Sequence, residues 1–176
     1  MERINISGWK SFKIGDLFEV KKGTRLTKAD MKPGEIRFIG SSATNNGLTA
    51  RIGNSEHIHP ANTLTVCYNG SVGETFYQDK PFWASDDVNV LYPKFEMNMY
   101  IAMFIIPVIK TAKARYNYVD KWRLEVMIES EIKLPATDDG KPDYAYMDRY
   151  MRDVIRETEK SLENLMGVLG NDTMNI

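Results

Sequence analysis

A stretch near the C-terminus constrains the fold of this chain more than any other part of its sequence. No helix-breaking residue occurs from about Asp143 to Gly167. Within that stretch, apolar and small residues recur at alternating steps of four and three, which is the spacing of a heptad seam. They are Met147, Met151, Val154, Thr158, Ser161, Leu165 and Val168, and Ile155, Leu162 and Leu169 widen the stripe. The pattern predicts a long coiled-coil-type helix over 143–169, followed by a disordered tail over 170–176.

The apolar stripe of this helix needs a surface to cover it. A helix that projects from a globular domain cannot bury such a stripe on itself. It either pairs with a second helix or folds back on its own domain, and the sequence is compatible with both arrangements. We expect the first arrangement, a homodimer that is held together by Met147, Met151, Val154, Ile155, Leu162, Leu165 and Val168.

Residues 1–142 have the pattern of a single α+β domain with a mixed, largely antiparallel β-sheet and packed helices. Short β-branched and aromatic runs alternate there with Gly, Pro and Asn, as strands do with turns. The runs are FEVKKG, EIRFIG, TLTVCYNG, ETFYQ, VNVLYP and IKLP. An Asn-Gly pair between the third and fourth runs predicts a tight hairpin. One buried helix is expected from about Met97 to Ala114, and Pro107 should kink or break it.

Composition excludes several classes of protein. Cys67 is the only cysteine, so no intrachain disulfide is possible, and the N-terminal sequence MERINISGWK lacks the apolar region of a signal peptide. The longest apolar run, MYIAMFIIPVI, spans 11 residues, whereas a membrane helix needs about 20. We therefore expect a protein of a reducing, cytoplasmic setting that does not cross a membrane.

The net charge of −1 conceals a strong segregation of charge along the chain. The balance of basic over acidic residues is +5 for residues 1–51, −4 for 52–109, +4 for 110–123 and −6 for 124–176. Two basic segments that meet on one face would suit a polyanion such as DNA. The alternative is that these charges merely solvate different surfaces.

Motifs for enzymatic chemistry are missing or incomplete. The sequence contains no GxxxxGK[ST], GxGxxG or GxSxG motif, so nucleotide hydrolysis, dinucleotide binding and serine hydrolysis are unsupported. His57, His59 and the single thiol are too few for a zinc site, which favours an ordinary exposed loop. Asp120, Glu131 and Lys133 could together hold a metal for phosphodiester cleavage. A metal-dependent nuclease is therefore one alternative function.

Cations interleaved with aromatic and short polar side chains favour nucleic-acid binding. Such clusters supply phosphate contacts, stacking surfaces and hydrogen bonds to base edges. The predicted phosphate contacts are Lys21, Lys22, Arg25, Lys28, Lys110, Lys113 and Arg123, with Arg115, Tyr118 and Lys121 beside the last of these. The predicted base-reading residues are Ser41, Thr44, Asn45, Asn46, Tyr68 and Asn69. The alternative for each cluster is an ordinary solvated turn or, for the third, a loop anchored by Trp122.

Four segments together resemble the target recognition domain of type I restriction-modification specificity subunits. They are GWKSFKIGDLFEVKKGTRLTKADMKPGEIRFIGSSATNNGLT, NGSVGETFYQDKPFWASDDVNVLYP, YNYVDKWRLEVM and IKLPATDDGKPDYAYMDRYM. The resemblance implies a non-catalytic subunit that reads half of a split double-stranded DNA target. It also implies methyltransferase subunits as partners, which themselves bind S-adenosylmethionine, and possibly a restriction subunit. No cofactor is expected in this chain.

Two departures from the family pattern qualify the resemblance. Tyr116, Tyr118, Lys121 and Trp122 match a Tyr-x-Tyr-Gly-Arg-Lys-Trp pattern, but Val119 and Asp120 replace its Gly and Arg, which removes a cation. The usual subunit has two recognition domains, each followed by a helix, and this chain has one of each. Two copies related by a two-fold axis would restore the whole and read an inverted repeat with a fixed gap. The remaining alternatives are pairing with another specificity protein and a decoy that kept the fold to bind a different protein.

Overall fold

The computed structural model describes residues 4–112 and 122–172, and nine β-strands and four α-helices form in that part of the chain. The strands are β1 (Trp9–Lys13), β2 (Phe18–Lys22), β3 (Ile36–Ile39), β4 (Leu48–Ile52), β5 (Thr63–Cys67), β6 (Thr75–Gln78), β7 (Phe82–Ala84), β8 (Val88–Pro93) and β9 (Glu131–Pro135). The helices are α1 (Ile14–Leu17), α2 (Met99–Ala112), α3 (Leu124–Glu129) and α4 (Tyr144–Asp172). A short 3-10 helix, Asn45–Gly47, lies between β3 and β4.

The central sheet has the order β2-β8-β5-β6, and each neighbouring pair is antiparallel. All five residues of β5 are buried. Because successive side chains of a strand point to opposite faces, both faces of the sheet are covered at β5. The turn between β5 and β6 contains Gly70 and Gly73 with φ of 69° and 78°, which glycine adopts at little cost. The predicted reversal between these strands is confirmed, but the loop spans residues 68–74 and is not a tight turn.

Two smaller sheets complete the architecture. The sheet β4-β3-β7 contains a parallel pair, β3 with β7, whereas β3 and β4 are antiparallel. The sheet β1-β9 joins the beginning of the domain to its end, with Phe12 opposite Ile132. The prediction of a mixed, largely antiparallel α+β fold is confirmed.

The main hydrophobic core lies between the central sheet, α2 and the first turns of α4. The nearly continuous apolar sequence of α2 buries Ile101, Phe104, Ile105 and Ile109, because this helix is covered on more than one side. Trp122 is fully buried in the same core.

Pro107 lies inside α2 without ending it, so the predicted break is wrong. Proline removes one backbone hydrogen bond and strains the preceding turn, at a cost of about 3 kcal/mol in a helix interior. Packing against the sheet and α4 outweighs this cost, since Phe104 and Ile105 on the preceding turn are buried.

The long C-terminal helix α4 starts where Asp143 caps it, because the Asp143 Oδ1 accepts a hydrogen bond from the Tyr146 N–H at 2.8 Å. Met147 in its second turn is fully buried in the main core. The helix reaches Asp172, three residues beyond the predicted end at 169, so Gly170 does not terminate it. Whether α4 forms a coiled coil remains a prediction.

Six strands follow the sequence pattern, and three do not. The runs that predicted β2, β3, β5, β6, β8 and β9 all form strands, whereas β1, β4 and β7 were not predicted. β7 contains only three residues, and its partner is the parallel strand β3. This pairing cannot be predicted from the local sequence pattern. Among the described residues, no helix is both long enough and apolar enough to span a membrane.

Candidate nucleic-acid interface

Four loops meet at one end of the sheets and form the surface that we call the loop face. They are residues 23–35, 40–47, 68–74 and 85–87. The strand registers bring them together, because Lys22 pairs with Asn89, Cys67 with Val88, and Ile39 with Ala84. Thus the ends of β2, β3, β5 and β7 and the start of β8 share one edge.

Hydrogen bonds between the loops fix the centre of the loop face. The Tyr68 hydroxyl donates to the backbone carbonyl of Asp86 at 2.6 Å, and the Asn69 amide donates to the Asp87 carboxylate at 2.7 Å. The Ser41 hydroxyl donates to the Asn69 carbonyl and accepts from the Ser71 N–H. Sequence reasoning identified Ser41, Tyr68 and Asn69 but missed Asp86 and Asp87, whose only signal was the acidic pair in the short ASDDV turn.

Gly23 explains how closely two of these loops approach each other. A Cβ atom at Gly23 would lie 2.1 Å from the Ser85 carbonyl oxygen and 2.7 Å from that of Ala84. The Gly23 N–H donates to the Val88 carbonyl at 2.9 Å. This glycine therefore packs β2 against the turn before β8 and leaves no room there for a phosphate.

Four of the predicted cations lie on or beside the loop face. The Lys22 ammonium lies 5.6 Å from the centre of the Tyr68 ring. The Arg25 guanidinium is 3.4 Å from the Asp86 carboxylate, and Lys28 lines the same cavity of about 440 Å³. Arg123, which precedes α3, shares a second cavity of about 390 Å³ with Lys22 and Tyr68. These side chains bring the two basic segments of the sequence to one region.

Two other predicted cations have partners within the protein. Lys21 alternates with Lys22 along β2 and therefore points to the other face of the sheet. Its ammonium lies 4.4 Å from the centre of the Tyr92 ring and 3.4 Å from the Glu19 carboxylate. Lys110 forms an ion pair with Glu74 at 2.8 Å. The structure thus gives Lys21 and Lys110 partners within the protein.

The 40–47 loop uses its predicted base-reading groups to hold its own shape. Asn45 and Asn46 have φ of 51° and 53°, in the left-handed region that asparagine tolerates better than most residues. The Asn45 amide donates to the Leu48 carbonyl at 3.1 Å, and that of Asn46 donates to the Tyr77 carbonyl at 3.0 Å. The Thr44 N–H donates to the Ser42 hydroxyl at 3.2 Å. Each side-chain amide therefore already donates a hydrogen bond within the protein.

The basic and aromatic segment that most suggested DNA falls mainly outside the described residues. Lys113, Arg115, Tyr118 and Lys121 belong to this group, as does Asp120. Trp122 is a core anchor whose indole Nε1–H donates to the Ser130 hydroxyl at 2.9 Å. Trp122 is therefore anchored in the core, whereas the loop before it lies outside the described residues.

The histidines do not form a metal site. His59 is buried, its Nδ1 is 2.7 Å from the Tyr92 hydroxyl, and its ring stacks on Phe82, so the expectation of an exposed loop is wrong for it. Burial, followed by the nearby charges of Lys21 and His57, lowers the pKa of His59 to about 4. No group of three or more His, Cys, Asp or Glu side chains that could bind a metal occurs in the described part of the chain.

The residues of the predicted dimer seam fall into two groups along α4. Met147 lies in the chain's own core, and Met151, Val154 and Ile155 are half-buried, with Met151 packed against that core. Leu162 and Leu165 are 57% and 63% exposed. Val168 lies in the last turns of the helix. Met147 is therefore not available to a partner, because the sheet and α2 already cover it.

Two solved structures resemble this fold. One is the S subunit of a type I restriction-modification system from M. genitalium, with a TM-score of 0.56 and 18% identity over 92% of this chain and 44% of that chain. The other is the HsdS subunit from Thermoanaerobacter tengcongensis, with a TM-score of 0.62 and 11% identity over 93% of this chain and 41% of that chain. At these identities the likeness concerns the fold alone.

Proteins that are similar in sequence are named as specificity subunits of restriction enzymes. The chain is 42% identical over 136 residues to the type II restriction enzyme BgcI specificity subunit S.BcgI of Heyndrickxia coagulans, which corresponds to 77% of this chain and 40% of that protein. It is 28% identical over 134 residues to the type I restriction enzyme MpnII specificity subunit of Mycoplasma pneumoniae, again 40% of that protein. The chain thus spans about two fifths of these relatives. Residues 6–164 match the type I restriction modification DNA specificity domain, and the chain belongs to that family.

Proposed function

We propose that this chain reads DNA for a restriction-modification system. Its loop face binds one half of a bipartite double-stranded target and directs a DNA methyltransferase subunit there, and a restriction subunit can join the complex. S-adenosylmethionine is bound by the methyltransferase, and this chain performs no chemistry. The observation that best supports the proposal is the meeting of four hydrogen-bonded loops with Lys22, Arg25, Lys28 and Arg123 at one edge of the sheets.

The rigidity of the loop face is the physical reason to assign base reading to it. Discrimination between base pairs depends on donors and acceptors held in fixed positions at a groove edge. Hydrogen bonds from Ser41 to Asn69, from Tyr68 to Asp86 and from Asn69 to Asp87 connect three loops within the protein itself. Phosphate contacts by the surrounding cations would then set the register on the duplex.

The partner arrangement in this proposal is a homodimer formed through α4. Leu162, Leu165 and Met166 are exposed on the outer half of the helix, which favours a helix–helix contact. A two-fold axis between the helices presents two identical loop faces, so the target is an inverted repeat with a fixed gap. Pairing with a different specificity protein is the alternative outcome.

The nuclease alternative has no support. Glu131 and Lys133 lie on β9 with exposed side chains, and neither belongs to a group that could hold a metal within the described residues. A DNA-binding measurement distinguishes a DNA-reading protein, which binds duplex DNA, from a decoy, which does not.

The salt dependence of DNA binding tests the loop face. We expect the wild-type protein to bind duplex DNA with an affinity that falls as salt rises, with a log-log slope of about −0.9 for each phosphate neutralised. Replacing Lys22, Arg25, Lys28 and Arg123 together with Ala should make the slope shallower by about 3 to 4, measured by filter binding between low and moderate salt.

A matched control removes a cation far from the loop face. Lys80 is exposed in the turn that follows β6, at the opposite end of that strand from the 68–74 loop. The Lys80→Ala variant should keep the wild-type slope. Equal slopes for the fourfold variant and Lys80→Ala would contradict the loop face, and little wild-type binding at any salt would favour the decoy.

A further inference from the structure

Two carboxylates lie at the centre of the loop face, although the proposed function favours a positive surface there. They belong to Asp86 and Asp87 in the 85–87 turn. Both residues line the cavity of about 440 Å³ that Arg25 and Lys28 also line. A carboxylate repels the phosphates of DNA, so its presence at a DNA interface has an electrostatic cost. A partner other than phosphate is needed to offset that cost.

The two carboxylates differ in the partners that the protein gives them. The Asp86 carboxylate lies 3.4 Å from the Arg25 guanidinium, which offsets its charge. The Asp87 Oδ1 accepts from the Asn69 amide at 2.7 Å, and the Asp87 backbone carbonyl accepts from the Tyr68 N–H at 3.1 Å. Within the described part of the chain, the Asp87 Oδ2 has no hydrogen-bond partner and no cation. The Asp87 carboxylate is therefore held in orientation while one of its oxygens is left open.

Ser85 adds a second polar group without a partner to the same cavity. It lines the cavity together with Asp87 and is only 9% exposed. Its hydroxyl has no hydrogen-bond partner among the described residues. A buried hydroxyl without a partner lowers the stability of the folded protein. Ser85 therefore indicates that the cavity takes a polar ligand.

The other walls of the cavity suit the edge of a base pair and its phosphates. Leu26, Met31 and Phe38 form an apolar side, and the exposed Arg25 and Lys28 supply cations. Sites that combine apolar walls with a few placed polar groups are typical of specific recognition. On DNA, phosphate contacts position a protein, whereas contacts with base edges determine its specificity.

The hydrogen-bonding pattern of each base decides which base a carboxylate reads. In the major groove, guanine offers two acceptors and thymine offers one, and these repel a carboxylate. Adenine offers an amino group next to the N7 acceptor, which suits an amide better than a carboxylate. Cytosine offers its N4 amino group without an acceptor of its own beside it. The Asp87 carboxylate therefore fits cytosine, and the Ser85 hydroxyl, as a donor, fits O6 of the paired guanine.

We propose that Asp87 is a specificity-determining residue, which accepts a hydrogen bond from the N4 amino group of one cytosine in the DNA target. This inference rests on the proposed function and specifies one base of its target. Arg25 and Lys28 contact phosphates beside that base pair, and Asn69 holds the Asp87 carboxylate in position.

Selection of binding sites from a random duplex library tests this assignment. The wild-type protein should select a site with a fixed cytosine. Asp87→Asn keeps an acceptor for the Asn69 amide and introduces a donor, so it should replace that cytosine with adenine and leave the other selected positions unchanged. Its affinity for the wild-type site, measured by filter binding, should fall about tenfold or more, as for a mismatched base pair.

Two further variants separate base reading from a general effect of charge. Asp87→Glu keeps the carboxylate and should still select cytosine, with a weaker affinity. Asp86→Asn removes the same charge one residue away. It should raise the affinity for every duplex by a similar factor, because one repulsion with phosphate is lost, and the selected cytosine should remain.

The outcomes distinguish this inference from the proposed function. A wild-type site without a fixed cytosine, or the same site selected by Asp87→Asn, overturns the assignment of Asp87 and leaves DNA reading by the loop face standing. A wild-type protein that selects no sequence from the library overturns the proposed function, and the assignment of Asp87 with it.

Discussion

The globular domain buries its large apolar side chains, whereas the outer half of α4 leaves them exposed. Trp122 and Met127 are fully buried in a core that the chain itself completes. Leu162 and Leu165, on the same chain, are more than half exposed. The domain therefore obtains its stability from its own packing, whereas the apolar side chains at the outer end of α4 gain nothing from the packing of the described residues.

Truncating one large side chain in each region should give the largest difference in the free energy of unfolding. Trp122→Ala removes a fully buried indole and its hydrogen bond to Ser130, and we expect it to lower the free energy of unfolding by about 3 to 5 kcal/mol. Leu162→Ala should lower it by less than about 0.5 kcal/mol in the monomer, because its side chain is already exposed. Urea denaturation at low protein concentration measures both.

Equal losses of stability in the two variants would contradict the difference in burial between the domain and the outer half of α4. They would mean that Leu162 is covered within the monomer, as it would be if α4 folded back on its own domain. Measuring Leu162→Ala again at high protein concentration provides the control, since a loss seen only there arises from the dimer.

Lowering the pH should destabilise the domain, because it contains a buried histidine. The pKa of His59 is lowered to about 4 in the folded protein by burial, then by Lys21 and His57. In the unfolded chain it is near 6.5. His59 is therefore neutral when folded, and its contribution to stability is fully present above about pH 6.5 and is lost as the pH falls towards 4.

The expected size of this effect is up to about 3 kcal/mol between pH 7 and pH 4. The His59→Gln variant keeps a hydrogen-bonding partner for the Tyr92 hydroxyl and should lose this part of the pH dependence in urea denaturation at a series of pH values. If wild type and variant show parallel pH profiles, the buried histidine does not titrate as described.

A buried asparagine under α3 should be replaceable with a gain in stability. Asn89 is fully buried, its Oδ1 has no hydrogen-bond partner among the described residues, and its Nδ2 contacts only the Met127 sulfur at 3.8 Å. Replacing a poorly bonded amide with an apolar group of similar size removes a desolvation penalty. Asn89→Leu should therefore raise the free energy of unfolding by about 1 kcal/mol.

The matched control for this substitution is a buried asparagine that is well bonded. Asn54 accepts from the Lys32 N–H at 2.8 Å and donates to the Asp30 carbonyl at 3.2 Å. Asn54→Leu should lower the free energy of unfolding by about 1 to 3 kcal/mol, measured by thermal or urea denaturation. A loss of stability in both variants would indicate that Asn89 has a partner that its described neighbours do not provide.

Sequence patterns predicted those parts of the fold that depend on local periodicity. The β-branched runs of β5 and β8 and the heptad spacing of α4 are properties of consecutive residues, and the strands and the helix follow them. β1 and β7 were missed because their stability comes from pairing with β9 and β3, which are distant in sequence. The helix predicted over 97–114 forms as α2, but Pro107 does not end it, because tertiary packing outweighs the local preference.

The candidate interface was predicted by residue type and only partly by position. Adjacent lysines in the sequence predicted one basic patch. Because successive side chains of a strand point to opposite faces, Lys21 and Lys22 lie on different faces of the sheet. Asn45 and Asn46 have the chemistry of base readers, and the turn uses their amides for its own shape. Whether a polar group is free depends on long-range neighbours, and a single sequence does not reveal those neighbours.

The pairing of β1 with β9 has a consequence for how such proteins can change. The polypeptide enters the domain at Trp9 and leaves it at Pro135, and these two residues are partners across one ladder. The chain segment between them therefore begins and ends at neighbouring positions of one small sheet. A genetic exchange that replaced this segment would replace the whole loop face at once, and α4 would keep its position where the new segment keeps the contacts that Asn98 and Phe104 make with Asp148 and Tyr146.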